Sequence, residues 1–170
     1  MKYIALISFS LLLMLTSCNS EIQPYDDITP INWKERAATI NPADSLQTGS
    51  SYLAVYSAIY SVTEHRIINL TVTVSLRNIS STDTIYIRKA DYYNTEGDLI
   101  RSYTKTPVYL KPLETIEIVI DEKDNHGGSG ANFIFEWAKQ ENTHEPIFDA
   151  VMISTSGQQG ISFTTQGINR

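Results

Sequence analysis

Apolar and polar residues alternate along most of the chain beyond residue 50, a period of two that predicts half-buried β-strands. Similar alternation predicts strands at residues 52–60, 84–93, 99–104, 115–120, 131–138, 150–154 and 161–164. No long stretch has the helical spacing of apolar residues together with helix caps. The pattern therefore predicts an all-β domain. The clearest run places five apolar residues on one face: Ile68, Leu70, Val72, Val74 and Leu76.

The turns between these runs indicate how the strands are arranged. Residues 91–103 predict a hairpin, because β-branched and aromatic positions flank a turn in which Gly97 can adopt a positive φ. Seven or eight short strands predict a single antiparallel β-sandwich of immunoglobulin-like architecture. A small closed barrel is the alternative. The absence of a cysteine pair excludes a true antibody-type domain.

The first residues follow a different pattern. Lys2 precedes a mostly apolar stretch at residues 4–15 that is too short to span a bilayer, as in a signal peptide. The order Leu15, Thr16, Ser17, Cys18 matches the lipobox of lipoprotein signal peptidase. We expect residues 1–17 to be removed and Cys18 to carry diacylglyceryl and acyl chains that hold the protein at the membrane. An ordinary secretory signal with a chance cysteine is the alternative.

Cys18 is the only cysteine of the chain, and lipidation explains an unpaired thiol on an exported protein. Asn19 follows it instead of the aspartate that commonly retains lipoproteins in the inner membrane. The expected location is therefore the cell envelope, on either face of the outer membrane if the host is Gram-negative.

Residues 18–49 form the predicted lipidated N-terminus and flexible tether, and residues 50–170 form the predicted domain. Pro24, Pro30 and Pro42 lie among polar residues in the tether. Trp33 is the exception, and it either packs against the domain or sits near the lipid.

The net charge of the chain limits the kinds of partner that we expect it to bind. The chain has 13 basic and 19 acidic residues, and loss of Lys2 with the signal peptide leaves 12 basic residues and a net charge of −7. Nucleic acid and anionic headgroups repel such a domain, and no basic run offsets this repulsion. We therefore expect no nucleic-acid partner, and we expect the lipid on Cys18 to provide the membrane contact.

A glycine-rich stretch is the most unusual part of the domain. Its closely spaced glycines can turn backbone amides outward to hold an anion, although a tight connection between strands explains them equally well. Gln158 and Gln159, between two glycines, form a second candidate loop. The candidate ligand or partner residues of the first loop are His126, Gly127, Gly128, Ser129, Gly130 and Asn132.

Asp124, His126 and Ser129 form the only plausible catalytic cluster, in a sequence within one residue of the nucleophile elbow G-x-S-x-G. That elbow needs a following helix, whereas residues 131–138 predict a strand. A non-enzyme is therefore the main prediction, and a hydrolase using Ser129 is the alternative.

No cofactor or metal site is predicted. His65, His126 and His144 lack paired ligand spacing, and neither Asp121 nor Asp124 begins a calcium-binding loop.

Tyrosines are frequent in the predicted strand at residues 52–60. Alternation places Tyr52, Tyr56 and Tyr60 on one face of that strand, where they either pack between sheets or meet a partner or glycan.

Five stretches of the domain are distinctive in sequence: YLAVYSAIY, LTVTVSLRN, DYYNTEGDLIRSY, GGSGANFIFEW and EPIFDAVMISTSGQQGISFTTQG. Together they resemble a family of uncharacterised bacterial lipoproteins with a domain of unknown function. One departure is Ala54, where the family pattern has proline. The resemblance implies an extracytoplasmic, lipid-anchored protein without an established activity. The expected role is a non-enzymatic binding or assembly module that meets an envelope protein or glycan.

Overall fold

The structure is a computed structural model that describes residues 31–155 and 160–170. The predicted signal peptide, Cys18, the first part of the predicted tether, and Gln158 and Gln159 lie outside the described residues. No helix in these two ranges is long and apolar enough to cross a membrane.

Twelve strands lie in the described residues, and they account for nearly all of the regular structure. Two short 3-10 helices, Pro42–Asp44 and Gly128–Gly130, lie between strands. The strands are β1 (Gln47–Ala54), β2 (Ala58–Ser61), β3 (Thr63–Asn69), β4 (Thr71–Arg77), β5 (Ile85–Tyr93), β6 (Leu99–Ser102), β7 (Val108–Leu110), β8 (Thr115–Ile120), β9 (Asn132–Lys139), β10 (Ile147–Ser154), β11 (Ile161–Gln166) and β12 (Ile168–Asn169).

The strands form a sandwich of two antiparallel sheets. The first sheet has the order β12-β1-β9-β5-β6, with β7 also paired to β5. The second has the order β11-β10-β4-β8. β2 and β3 form a separate hairpin. The predicted all-β antiparallel sandwich is confirmed.

Two pairs of strands are arranged as in immunoglobulin domains. β4 pairs with β8 in one sheet and β5 with β9 in the other, as strands B and E and strands C and F do there. The flanking strands differ. β1 lies beside β9 and β10 lies beside β4, so the first and last long strands have exchanged the places of the immunoglobulin strands A and G.

The core lies between the sheets and follows the predicted alternation. Leu70, Val72, Val74 and Leu76 are fully buried, as the sequence predicted. An aromatic stack crosses the core through Tyr92, Phe133, Phe135 and Phe148, with successive ring centroids 4.8, 5.4 and 4.2 Å apart. Because the last contact joins the two sheets, aromatic packing adds to the aliphatic burial that stabilises the sandwich.

The number of strands exceeds the predicted seven or eight. The predicted runs at residues 52–60 and 68–76 are each divided, by a break before β2 and by a break at Leu70. β7 and β12 span three and two residues, too few for alternation to reveal them. The predicted hairpin at residues 91–103 is confirmed as β5 and β6, and Gly97 has the predicted positive φ of +89°.

The predicted tyrosine face does not exist. β1 ends at Ala54, after which the Val55 and Ser57 amides donate to carbonyls of residues 131 and 128 and turn the chain away from the sheet. Tyr56 consequently packs beside Phe163, with ring centroids 5.7 Å apart. Tyr60 lies in β2 and is 62% exposed.

Residues 31–49, predicted as part of a flexible tether, belong to the domain. The Ala38 amide donates to the Pro107 carbonyl at 2.8 Å, so this segment runs beside β7. β1 then begins at Gln47 rather than after residue 50. The composition favours flexibility, but hydrogen bonds to distant residues order the segment. Ile31–Arg170 therefore forms one compact unit with its own core.

Two side chains of residues 31–49 make further contacts with the rest of the domain. Trp33 packs against the core beside Tyr103, with ring centroids 6.2 Å apart, which confirms the packing alternative for this tryptophan. The Arg36 guanidinium lies 2.8 Å from the Glu114 carboxylate. Burial opposes ionisation of Glu114, but the hydrogen bonds from Arg36 and the Lys111 amide, together with the positive charges of both residues, outweigh it and lower the pKa of this carboxyl.

Candidate functional site

The glycine-rich turn, residues 124–131, joins β8 to β9. Gly128 has a φ of +73°, a backbone conformation that glycine adopts without strain. Its amide donates to the Asn125 carbonyl at 3.1 Å. The stretch is therefore a tight connection between strands, the alternative that the sequence left open.

Thr95 and Ser57 hold the glycine-rich turn in place. The Thr95 amide and hydroxyl donate to the Gly127 carbonyl at 3.1 and 3.0 Å, and the same hydroxyl accepts from the Gly130 amide at 3.0 Å. The Ser57 amide donates to the Gly128 carbonyl at 3.1 Å. Because the Gly128 and Gly130 amides already have acceptors in the protein, they are not available to an anion.

A charged cluster lies beside this turn. Asp124 Oδ1 is 2.8 Å from His126 Nδ1, and its Oδ2 is 2.9 Å from Arg101 Nη2. Arg101 also donates to the Tyr103 hydroxyl at 3.0 Å. Burial opposes ionisation of Asp124, but the hydrogen bonds from His126 and Arg101 outweigh it and lower the pKa of this carboxyl. The cluster thus joins the turn to β6.

Gly127 lies directly over a core side chain. A Cβ at this position would stand 1.9 Å from the Tyr92 hydroxyl and 2.8 Å from the Ala131 Cβ. Tyr92 is fully buried, and burial raises the pKa of its hydroxyl to about 12. Close packing therefore requires glycine here.

The predicted catalytic cluster is only partly brought together. Asp124 and His126 are in contact, but no hydrogen bond joins Ser129 to His126 in the part of the chain that the structure describes. Asn132 is the first residue of β9, paired with Ala54 and Tyr93, and so lies in the sheet rather than in the loop. Within the same residues, no three His, Cys, Asp or Glu side chains form a group that could hold a metal ion.

The described residues that flank the second candidate loop lie at the end of the sandwich where β8 ends. Ile120, the last residue of β8, pairs with Val72, which pairs in turn with Met152 near the end of β10. β10 and β11 pair as far as Ser154, opposite Ile161. β8 and β10 therefore end at the same side of the second sheet, with β4 between them.

A cleft lies between residues 38–48 and neighbouring parts of the first sheet, apart from the two candidate loops. It was not predicted from the sequence. Its volume is about 640 Å³, within the range of small-molecule sites. The Pro42–Asp44 helix orders one wall, since Asn41 caps it and Ser45 follows at a φ of 48°. The lining residues are Ala38, Thr39, Ile40, Asn41, Ser45, Leu46, Thr48, Arg88, Thr106, Pro107 and Ala138.

Arg88 occupies a β-bulge at the cleft. Ile87 pairs with Trp137 and Lys89 with Glu136, so Arg88 is an extra residue on β5. A bulge redirects a side chain relative to a regular strand. Arg88 is exposed, and its side chain has no hydrogen bond or ion pair among the described residues.

A shallow depression adjoins the cleft and shares Arg88 and Thr48 with it. Gly49, Ser50, Glu136 and Arg170 complete its lining. Arg170 is exposed, and its amide donates to the Ser50 carbonyl at 2.9 Å. Two arginines therefore line one depression.

The sequence contained a signal for the bulge. The buried apolar residues of β5 are Ile85 and Ile87, followed by Ala90 and Tyr92, so the period of two slips between residues 87 and 90. That slip marks the position of Arg88. The wall made by residues 38–46 had no comparable signal, because its contacts are with distant strands.

Comparisons with known proteins identify a family and a distant fold similarity. A family model described as "Protein of unknown function (DUF3124)" matches residues 48–169. No curated protein matches the chain in sequence. The fold is similar to a structure titled "Crystal Structure of Thermotoga maritima 1070", with a TM-score of 0.46 and 10% identity over 71% of this chain and 92% of that chain.

Proposed function

This chain belongs to the DUF3124 family of proteins of unknown function, and we propose that it is a lipid-anchored, non-enzymatic binding module of the cell envelope. The observation that carries the binding role is the cleft beside Arg88. It has the volume of a ligand site, and the side chain of its arginine has no hydrogen bond or ion pair with the described residues. An exposed arginine contributes little to folding and remains available to a partner.

The proposed location rests on the N-terminal sequence. The lipobox ending at Cys18 supports export and lipidation, and Asn19 supports an outer-membrane address in a Gram-negative host. Cells fed an alkyne fatty acid should label the wild-type protein, and Cys18→Ser should abolish the label. Equal labelling of both proteins, or labelling of neither, would contradict the lipid anchor.

The binding role can be tested in intact cells with a photo-crosslinking amino acid. Thr48 and Thr115 form a matched pair, because both are exposed strand threonines and only Thr48 lines the cleft. We expect a specific crosslinked adduct from position 48 and none from position 115. Adducts from both positions alike, or from neither, would contradict a binding site in the cleft.

The alternative function is a hydrolase that uses Ser129. The Asp124–His126 contact at 2.8 Å favours it, because a carboxylate orients the histidine in such enzymes. The binding proposal predicts that Ser129→Ala leaves the phenotype of a deletion strain fully complemented. Loss of complementation by a stably folded Ser129→Ala protein would favour the enzyme instead.

A further inference from the structure

Most of the surface of the cleft is apolar, although small polar residues such as Thr39, Ser45 and Thr106 also line it. Ile40, Leu46, Pro107 and Ala138 contribute the apolar surface, and none of the described residues that line the cleft is aromatic. Sugar rings are commonly held by stacking on aromatic side chains, a contact that this lining does not provide. Aliphatic walls instead match an alkyl chain, whose transfer from water is favourable in proportion to the area buried.

Two arginines at the cleft and the depression lack a carboxylate partner, although the protein is acidic overall. Arg88 and Arg170 both line the depression, and neither has a side-chain partner among the described residues. Arg66, in the exposed hairpin strand β3, is unpaired as well but lies in neither cavity. The other arginines in the described ranges pair with carboxylates: Arg36 with Glu114, Arg77 with Asp149, and Arg101 with Asp124.

Glu136 is the acidic residue in the lining of the depression, and it is partly neutralised. Its Oε1 lies 3.8 Å from the Lys89 ammonium. Lys89 also contacts Asp91 at 3.1 Å, and that hydrogen bond raises the pKa of the lysine, so it stays charged. Among the side chains that line the depression, two arginines therefore face one partly neutralised carboxylate. A guanidinium pairs with carboxylate or phosphate oxygens by charge-assisted hydrogen bonds.

We propose that the cleft and the depression together form one site for an anionic amphiphile. The alkyl chain lies in the cleft, and the carboxylate or phosphate head lies at Arg88 and Arg170. Arg88 connects the two parts because it lines both of them. The inference rests on the proposed binding function and names its ligand class.

The head group and the alkyl chain can be tested separately by calorimetry. The protein for this test is the chain from Asn19 onward, which lacks the lipidated cysteine and retains the compact unit Ile31–Arg170. The probes are dodecanoate and dodecyl phosphate below their micelle concentrations, dodecanol as the uncharged tail, and acetate and inorganic phosphate as heads without tails. We expect binding of one or both charged amphiphiles and much weaker binding of the other probes. A preference between dodecanoate and dodecyl phosphate identifies the head.

Substitutions then locate the bound ligand. Arg88→Gln should weaken binding by about tenfold or more, since it removes a charge-assisted pair. Leu46→Gln should weaken amphiphile binding because it replaces part of the apolar wall with a polar amide. Arg66→Gln is the matched control, because it removes one exposed and unpaired arginine remote from the cleft and should leave binding unchanged.

The inference would be overturned by no binding of either charged amphiphile, by equal binding of dodecanol, or by equal weakening from Arg88→Gln and Arg66→Gln. Tight binding of acetate or phosphate alone would also contradict it, because that result describes a simple anion site. If crosslinking from position 48 succeeds while the amphiphiles do not bind, the binding function stands and the ligand class is wrong. If both fail, the binding function itself is wrong.

Discussion

The glycine-rich turn and the cleft each lie beside an arginine and several polar side chains, but these side chains interact differently in the two regions. Beside the turn, Asp124 contacts both His126 and Arg101 at under 3 Å, and Thr95 hydrogen-bonds the backbone on either side of Ser129. At the cleft, Arg88 has no side-chain partner among the described residues. Polar groups that already hydrogen-bond within the protein stabilise the fold, whereas unpaired groups beside a cavity are free to meet a ligand.

A methyl group added to the glycine-rich turn should lower the stability of the protein more than a substitution at the cleft does. Gly127→Ala places a Cβ 1.9 Å from the Tyr92 hydroxyl, so the turn or the core must shift. We expect a loss of about 2 kcal/mol in the free energy of unfolding, measured by urea denaturation. Gly160→Ala is the control, because among the described residues the atom nearest to its added Cβ is the Ser154 carbonyl oxygen, at 3.6 Å. Equal stability of both variants would contradict the close packing at Gly127.

Removing an arginine from each region gives a direct contrast. Arg101→Gln breaks the contact with Asp124 and weakens the contact with Tyr103, and it should lower the free energy of unfolding by about 1 kcal/mol. Arg88→Gln removes no side-chain hydrogen bond or ion pair among the described residues. It should change the free energy of unfolding by no more than about 0.5 kcal/mol. Equal destabilisation by Arg88→Gln and Arg101→Gln would contradict the claim that only the arginine beside the turn stabilises the fold.

A smaller effect concerns pH. Because the pKa of Asp124 is lower in the folded protein than the ordinary value of 3.8, folding favours its ionised form. The contribution to stability is fully present above that ordinary value and is lost as pH falls through the folded-state pKa. Asp124→Asn should therefore reduce the acid dependence of the unfolding free energy. The same pH dependence in wild type and variant would show that Asp124 is not stabilised by its partners.

Sequence patterns predicted strands well where one face is buried along the whole strand. The run Thr115–Ile120 matched β8 at both ends because Ile116, Ile118 and Ile120 all enter the core. The prediction of one strand at residues 52–60 failed because alternation does not reveal where the hydrogen-bond partner changes from β9 to the glycine-rich turn.

The candidate site was harder to predict than the fold. Glycines drew attention to residues 124–132, but the three-dimensional contacts of Thr95, Ser57 and Tyr92 explain those glycines by packing. The cleft depends on residues 38–46 meeting strands that are distant in sequence. Local composition contains no information about such contacts, although the slipped alternation around Arg88 was visible.

The most direct test of this contrast is a map of amide chemical shifts as dodecanoate is added to the chain from Asn19 onward. We predict the largest shifts at Leu46, Thr48 and Arg88, with little change at Gly128 and Gly130. Shifts centred on the glycine-rich turn, or an unchanged spectrum, would contradict the assignment of ligand binding to the cleft.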